Sequence, residues 1–134
     1  MFRLVKILNG RTNQAEPIRV PSTPAEVYSF GEALTLTEGR VTKCAPTERP
    51  DCICCEDYTA PAEGGRAILV EAVSSEMIFE APVSAVPASL SVGAVVTLGE
   101  DALCVSATRD GGVATVFDLS GAKNANDKIL VRFQ

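Results

Sequence analysis

The sequence has no histidine and no tryptophan among its 134 residues, and aromatic residues make up only 5% of it. Histidine is the most common general base, and no lysine stands in a context that would suggest a catalytic triad. No glycine-rich loop leads into a Lys-Ser/Thr pair or a helix, as phosphate binding would require. We therefore expect no catalytic residues, no cofactor-binding residues and no cofactor, and we do not expect an enzyme.

Basic residues are scarce as well, with 12 Lys and Arg against 17 Asp and Glu, which gives a net charge of −5. This balance opposes nonspecific binding to nucleic acid and docking on anionic lipid. The first apolar run, residues 2–8, is interrupted by Lys6 and is too short for an export signal or a membrane span. We expect an acidic protein made in a cytosol, with a protein partner, no nucleic acid and no membrane.

Two patterns occur twice in the sequence. Gly31-Glu-Ala-Leu-Thr-Leu36 reappears as Gly93-Ala-Val-Val-Thr-Leu98, at an offset of 93 − 31 = 62. Ile68-Leu-Val70 reappears as Ile129-Leu-Val131, at an offset of 129 − 68 = 61. The similar offsets predict two similar β units. We expect one β-rich domain over residues 1–134, with an N-terminal arm (1–27), repeat units at about 28–80 and 92–134, and an extended connector at 81–91.

Short segments rich in β-branched residues, with Gly, Pro, Asp or Asn between them, predict strands along the chain. The predicted strands are residues 2–8, 18–20, 33–36, 40–44, 52–55, 67–73, 77–79, 95–98, 103–108, 113–118 and 129–133. The predicted fold class is all-β, either a compact β-barrel or paired antiparallel sheets. At most one short helical turn is expected, over residues 22–28, where Ser22 or Thr23 could cap and Pro24 could start it.

Two Gly-containing pairs predict tight turns, Asn9-Gly10 and Asp110-Gly111. The second predicts a hairpin in which residues 103–109 pair with residues 112–118. That register would place Val105 opposite Val116, and Cys104 beside Phe117.

Four cysteines cluster in the first half: Cys44, Cys52, Cys54 and Cys55. Structural zinc sites usually use two Cys-x₂₋₄-Cys pairs, a spacing that this cluster does not have. We interpret residues 52–55 as a buried strand in which free cysteine is a small apolar side chain, and we expect no metal ligands. The alternative is a metal or thiol-linked ligand held by the four cysteines. Cys104 is expected in the core, and disulfides are disfavoured in a cytosol.

Acidic pairs are the remaining candidates for chemistry: Glu56-Asp57, Glu100-Asp101, and Glu32 with Glu38. Without a partner base we interpret them as solvated turn residues. The N-terminal segment is instead a candidate binding element, because a strand near a chain end can add to the sheet edge of a partner. Phe2, Leu4 and Ile7 would be its apolar anchors. The alternative is that this segment belongs to its own sheet.

The pattern from Tyr28 onward resembles a known family. It comprises Tyr28-x-x-Gly-Glu-Ala-Leu-x-Leu-x-x-Gly-x-Val-Thr-x-Cys, Ile78-Phe-Glu-Ala-Pro-Val, Gly93-x-x-Val-Thr-Leu, Val113-Ala-Thr-Val and Val131-Arg-Phe. It is similar to small head-decoration (auxiliary capsid) proteins of tailed bacteriophages and prophages of gut Firmicutes. The segment before Tyr28 matches no such motif.

This resemblance implies a non-enzymatic virion protein that binds the major capsid protein on the outside of the assembled shell and stabilises it. It further implies a homo-oligomer, with a trimer favoured, synthesised in the bacterial host cytoplasm. No catalytic or cofactor residue transfers from the family. The alternative function is a small cytosolic β-barrel module that uses the cysteine cluster for a metal or a thiol-linked ligand.

Overall fold

The computed structural model describes residues 1–8 and 16–134. The fold is all-β, as predicted, and consists of paired antiparallel sheets that are not closed into a barrel. The strands are β1 (Arg3–Ile7), β2 (Ile18–Pro21), β3 (Val27–Tyr28), β4 (Ala33–Thr37), β5 (Arg40–Lys43), β6 (Cys52–Cys54), β7 (Tyr58–Thr59), β8 (Ala67–Ala72), β9 (Met77–Pro82), β10 (Val95–Val96), β11 (Ala114–Asp118) and β12 (Lys128–Phe133). The turn predicted at Asn9-Gly10 lies outside the described residues.

In this part of the chain, two five-stranded sheets and one two-stranded ribbon make up the architecture. Sheet I has the order β2-β8-β6-β4-β5, and sheet II has the order β1-β9-β12-β11-β10. The ribbon pairs β3 with β7. All of these strand pairs are antiparallel.

The two sheets contain the same ladder twice. In sheet I, Val20 lies opposite Ile68, and in sheet II, Ala81 lies opposite Ile129, so both partners recur at the offset of the Ile-Leu-Val repeat. The correspondence persists across the sheets. Ala33 lies opposite Ile53, and Val95 lies opposite Thr115 at the offset of the repeated glycine motif.

The glycine that opens each repeated motif also has the same role in both sheets. Gly31 and Gly93 have φ angles of +80° and +89°, a region that favours glycine. The N–H of Gly31 donates to the carbonyl of Cys54, and that of Gly93 to the carbonyl of Val116, each at 2.8 Å. We therefore define unit 1 as residues 18–73 and unit 2 as residues 79–134.

Strand β9 marks where the sequence-based division differs from the ladders. That division placed residues 77–80 in the first unit and 81–91 in a connector, whereas β9 pairs with β12 in sheet II. The rest of the predicted connector contains a short 3₁₀ turn, Pro87–Ser89. This boundary depends on pairing between strands that are far apart in the sequence. No short segment of the sequence indicates such pairing.

The predicted hairpin at Asp110-Gly111 is wrong, although the turn itself forms. The N–H of Gly112 donates to the carbonyl of Arg109 at 3.1 Å, but only Gly111 has a positive φ, so the type I′ geometry that suits a two-residue hairpin is not made. Val105 instead bridges Leu98 and Val83.

The strand that follows this turn pairs elsewhere. Strand β11 lies between β10 and β12, so Val116 faces Val131 rather than Val105. Phe117 is exposed, and Cys104 contacts Asp101 rather than Phe117.

The helical turn predicted over residues 22–28 is also wrong. Ala25 has a φ of +63°, which ends any right-handed helix. The hydroxyl of Ser22 donates to the carbonyl of Arg66 and that of Thr23 to the carbonyl of Val41, so neither side chain caps a helix.

The interior of the described residues has two hydrophobic clusters. One lies within unit 1 and includes Tyr28, Leu34, Cys52 and Cys54. The other fills unit 2 and extends to unit 1 residues on the opposite face of sheet I: Ala33, Cys44 and Ile53. Strand β6 of sheet I is therefore buried on both faces, which explains why residues 52–54 are apolar without alternation.

Candidate functional site

The N-terminal strand was the predicted contact for a partner, and the structure places it in the protein's own sheet. Strand β1 pairs with β9 at the end of sheet II. Phe2 is only 2% exposed, and its ring centroid lies 5.3 Å from that of Phe133. Leu4 packs partly buried against the same cluster, and Ile7 is half-buried. Phe2 is therefore a core residue and not a free anchor.

The outer edge of β1 remains the place where a strand could be added. Arg3 and Lys6 are exposed along it, and the register shifts between Leu4 and Lys6, which indicates a β-bulge. Charged residues and bulges are devices that oppose unspecific pairing of sheet edges. Arg3 is already paired with Glu80 at 3.0 Å, so a partner for this edge must tolerate or neutralise the charge of Lys6.

The four clustered cysteines do not converge on one point. Cys52 and Cys54 belong to the cluster within unit 1, whereas Cys44 belongs to the cluster on the opposite face of sheet I. Burial raises the pKa of Cys44 and of Cys52 to about 12, and it also raises the pKa of Cys54. These protonated thiols pack as apolar side chains, which is how the sequence was interpreted.

Cys55 and Cys104 are half-buried and outside both core clusters, so the predicted core positions of these two residues are wrong. Their thiols also lack thiolate character. Desolvation raises the pKa of each thiol to about 11, and the carboxylate of Asp101 adds to the shift at Cys104. Among residues 1–8 and 16–134, no group of three or more Cys, Asp or Glu is arranged to hold a metal ion. The geometry thus gives no support to the alternative of a cysteine-held ligand.

The acidic pairs bind backbone N–H groups of nearby loops. Glu56 accepts from Leu69 N at 3.0 Å and pairs with Arg66, and Asp57 accepts from Phe30 N at 2.9 Å. Such bonds fix the connections between strands. These carboxylates are therefore bound in loops rather than aimed at a common point.

Glu32 differs from the other carboxylates because it is only 3% exposed. Its carboxylate accepts from Ser29 N at 2.8 Å, and desolvation by burial raises its pKa. Its predicted companion Glu38 is exposed at the tip of the β4–β5 hairpin. The two carboxylates do not form an acid–base pair.

An open groove of about 520 Å³ lies where the two units meet. The Thr97 and Ser106 hydroxyls, 2.7 Å apart, hydrogen-bond to each other within it. The other lining residues are Pro46, Thr47, Ser84, Leu98, Gly99, Glu100, Asp101, Cys104, Thr108 and Asp110. Sequence reasoning missed this groove because its residues come from three distant segments with no shared motif.

Several large apolar side chains are exposed on the surface. The most exposed are Val92 at 64%, Val27 at 60%, Val86 at 54%, and Phe30 and Ile18 at 51%. Exposed apolar side chains grouped in a patch often mark surfaces that bind other proteins, whereas isolated ones are normal. They are the residues that a protein partner could cover.

Comparison with known proteins adds no family to this description. A scan against protein-family models finds no match to this chain, and a search of curated proteins finds none either. In the part of the chain that the structure describes, no helix has the length and apolar character needed to cross a bilayer.

Proposed function

We propose that this chain is a non-enzymatic structural protein of a tailed bacteriophage that binds the outer surface of the assembled capsid and stabilises it. Its partner would be the major capsid protein, and it would act as a homo-oligomer, with a trimer favoured. It would be made in the bacterial host cytoplasm and would reside on the virion.

The observation that carries this proposal is the combination of a hydrogen-bonded β body with exposed apolar side chains. The loops are held by their own carboxylates, as at Glu56 and Asp57, while Val27 and Phe30 remain half or more exposed. A rigid surface loses little conformational entropy when it docks, so apolar area that it buries contributes to affinity. The all-β fold also agrees with the resemblance.

Stabilisation of a shell would follow from multivalent binding. An oligomer that contacts several neighbouring capsid subunits gains effective concentration after its first contact, so that weak single contacts give stable occupancy. The added interfaces would then oppose separation of the subunits under the outward pressure of packaged DNA.

Co-sedimentation with capsids tests this function. The purified chain is mixed with shells assembled from the major capsid protein encoded beside its gene, once expanded and once unexpanded. We expect the chain to sediment with the expanded shells and to raise their melting temperature. Failure to sediment with them, or the absence of a capsid gene nearby, would contradict the proposal.

A matched pair of variants examines the role of β1 in the same assay. Deletion of residues 1–8 is unsuitable because it would remove Phe2 from the core. Ile7→Asp changes the edge strand, and Ala72→Asp introduces the same side chain at an exposed position of β8. Loss of binding with Ile7→Asp alone would support β1 as a contact, and equal binding of both variants would exclude it.

A further inference from the structure

The contact between the two units is asymmetric. The N–H of Ala33 in unit 1 donates to the carbonyl of Ala102 in unit 2 at 2.8 Å, and the N–H of Leu98 in unit 2 donates to the carbonyl of Pro46 in unit 1 at 2.9 Å. If both units used the same surface, the counterpart of Leu98 would be buried as well. That counterpart is Leu36, which is 49% exposed, whereas Leu98 is 1% exposed.

The residues that follow Leu36 and Leu98 also differ in exposure. We call residues 36–40 tip 1 and residues 98–104 tip 2, because each connects the two paired segments that follow the repeated motif. Tip 2 contacts unit 1 and includes Ala102, which is fully buried. Tip 1 is exposed along its whole length.

The faces that receive the tips show the complementary difference. In unit 1, Ala33 and Ile53 are 0% and 4% exposed in the cluster shared with unit 2. Their counterparts in unit 2, Val95 and Thr115, are half-buried. Unit 1 thus has a covered face and an open tip, whereas unit 2 has a half-open face and a tip that is covered at Leu98, Gly99 and Ala102.

Residues of opposite charge are present on these open surfaces, and tip 1 carries one residue of each sign. Arg132 lies directly opposite Thr115 on the neighbouring strand, so both side chains project on the same face of sheet II, and Arg132 is exposed. On tip 1, Glu38 and Arg40 are both exposed, and the guanidinium of Arg40 donates to the carbonyl of Ser22 at 2.6 Å. Glu38 is therefore the charge on tip 1 that could pair with Arg132. Residues of opposite charge on two docking surfaces favour the correct orientation of the partners.

We propose that copies of this chain associate head to tail, with tip 1 of one copy on the Val95–Thr115 face of the next. The occupant of each open surface is then a second copy, and the contact continues the one that already joins unit 1 to unit 2. Head-to-tail contacts that repeat by a closing rotation give rings. This inference rests on the homo-oligomer in the proposed function and needs no capsid.

Sedimentation of the purified chain tests this interface. The wild-type chain should sediment as a finite oligomer, whereas Leu36→Glu on tip 1 and Thr115→Lys on the open face should each sediment as a monomer. Val27→Glu is the matched control because Val27 is 60% exposed and outside both surfaces. A single cooperative thermal transition in each variant would show that it is folded, because loss of the interface can by itself lower the melting temperature.

Mixing the two monomeric variants separates a head-to-tail contact from a symmetric one. The Leu36→Glu copy keeps an intact face and the Thr115→Lys copy keeps an intact tip, so an equimolar mixture should form dimers and nothing larger. A monomeric wild-type chain, dissociation by Val27→Glu, or a mixture that stays monomeric would overturn the proposal. Capsid co-sedimentation fails or succeeds independently of these outcomes.

Discussion

Units 1 and 2 have the same strand register but fill it with different side chains. In unit 2, Phe79 and Phe133 are fully buried, whereas the counterparts in unit 1 are Ile18, which is 51% exposed, and Ala72, which is exposed as well. Phe2 from the N-terminal strand completes the aromatic group of unit 2. Unit 1 uses small thiols and Tyr28 in its interior instead. The same strand register can therefore hold cores of different composition in this fold.

The shared register has local causes in both units. Each repeated motif begins with a glycine at positive φ, and alternating apolar residues then direct one face of each strand inward. Different cores can satisfy this pattern when their total volume and apolar character are adequate. The comparison indicates that turn geometry and alternation determine the ladder, and that packing then differs within it.

The largest difference expected between the units is in how much free energy of unfolding is lost when a phenylalanine side chain is removed. Phe133→Ala would leave a cavity between Phe2 and Phe79 and should lower the free energy of unfolding by about 3–5 kcal/mol. Phe30→Ala in unit 1 is the control, because Phe30 is 51% exposed and its loss should lower the free energy of unfolding by only about 1 kcal/mol. Urea denaturation measures both, and similar losses would show that the aromatic group does not distinguish unit 2.

The sequence was sufficient to predict what depends on local patterns. The all-β class, most strands and the offset between the repeats follow from residues that lie near each other in the chain. The buried strand with Cys52 and Cys54 was also predictable, because continuous apolar residues are typical of a strand that is covered on both faces.

Pairing over long sequence separation could not be predicted in the same way. The turn signal at Asp110-Gly111 was real, but Val105 pairs with Leu98 because that segment continues the repeated motif. The burial of Phe2 depends on Phe133, at the opposite end of the chain. Likewise, the groove and the exposure of tip 1 depend on how the two units contact each other. No single segment of the sequence predicts that contact.

Smaller effects are expected where unit 1 has cysteine and unit 2 has another residue. The counterpart of Cys52 is Ala114, so Cys52→Ala should cost only about 1 kcal/mol, whereas Cys52→Ser should cost about 1–3 kcal/mol for burying a hydroxyl. Cys54→Ser should cost about 1 kcal/mol, because the carbonyl of Glu56 already accepts a bond from this sulfur at 3.0 Å. Chemical denaturation measures the free energy of unfolding of each variant. A smaller loss for Cys52→Ser than for Cys52→Ala would contradict the expected order.

The smallest expected effect concerns Glu32, whose counterpart in unit 2 is Ala94. Burial raises the pKa of Glu32, so the folded protein holds this proton more tightly than the unfolded chain does. The resulting stabilisation is present below the unfolded-state pKa and is lost as the pH rises through the folded-state pKa. Glu32→Gln stays neutral, so its stability relative to wild type should increase over that interval and then level off.

Glu56→Gln provides the control with the opposite sign. The bond from Arg66 and the N–H of Leu69 lower the pKa of Glu56, so its stabilisation is present above the unfolded-state pKa and is lost as the pH falls through the folded-state pKa. The Glu56→Gln variant should therefore lose stability relative to wild type as the pH rises. Urea unfolding of the three proteins between about pH 3 and pH 8 covers both intervals. If the Glu32→Gln and Glu56→Gln differences changed with pH in the same direction, the opposite environments assigned to these two carboxylates would be wrong.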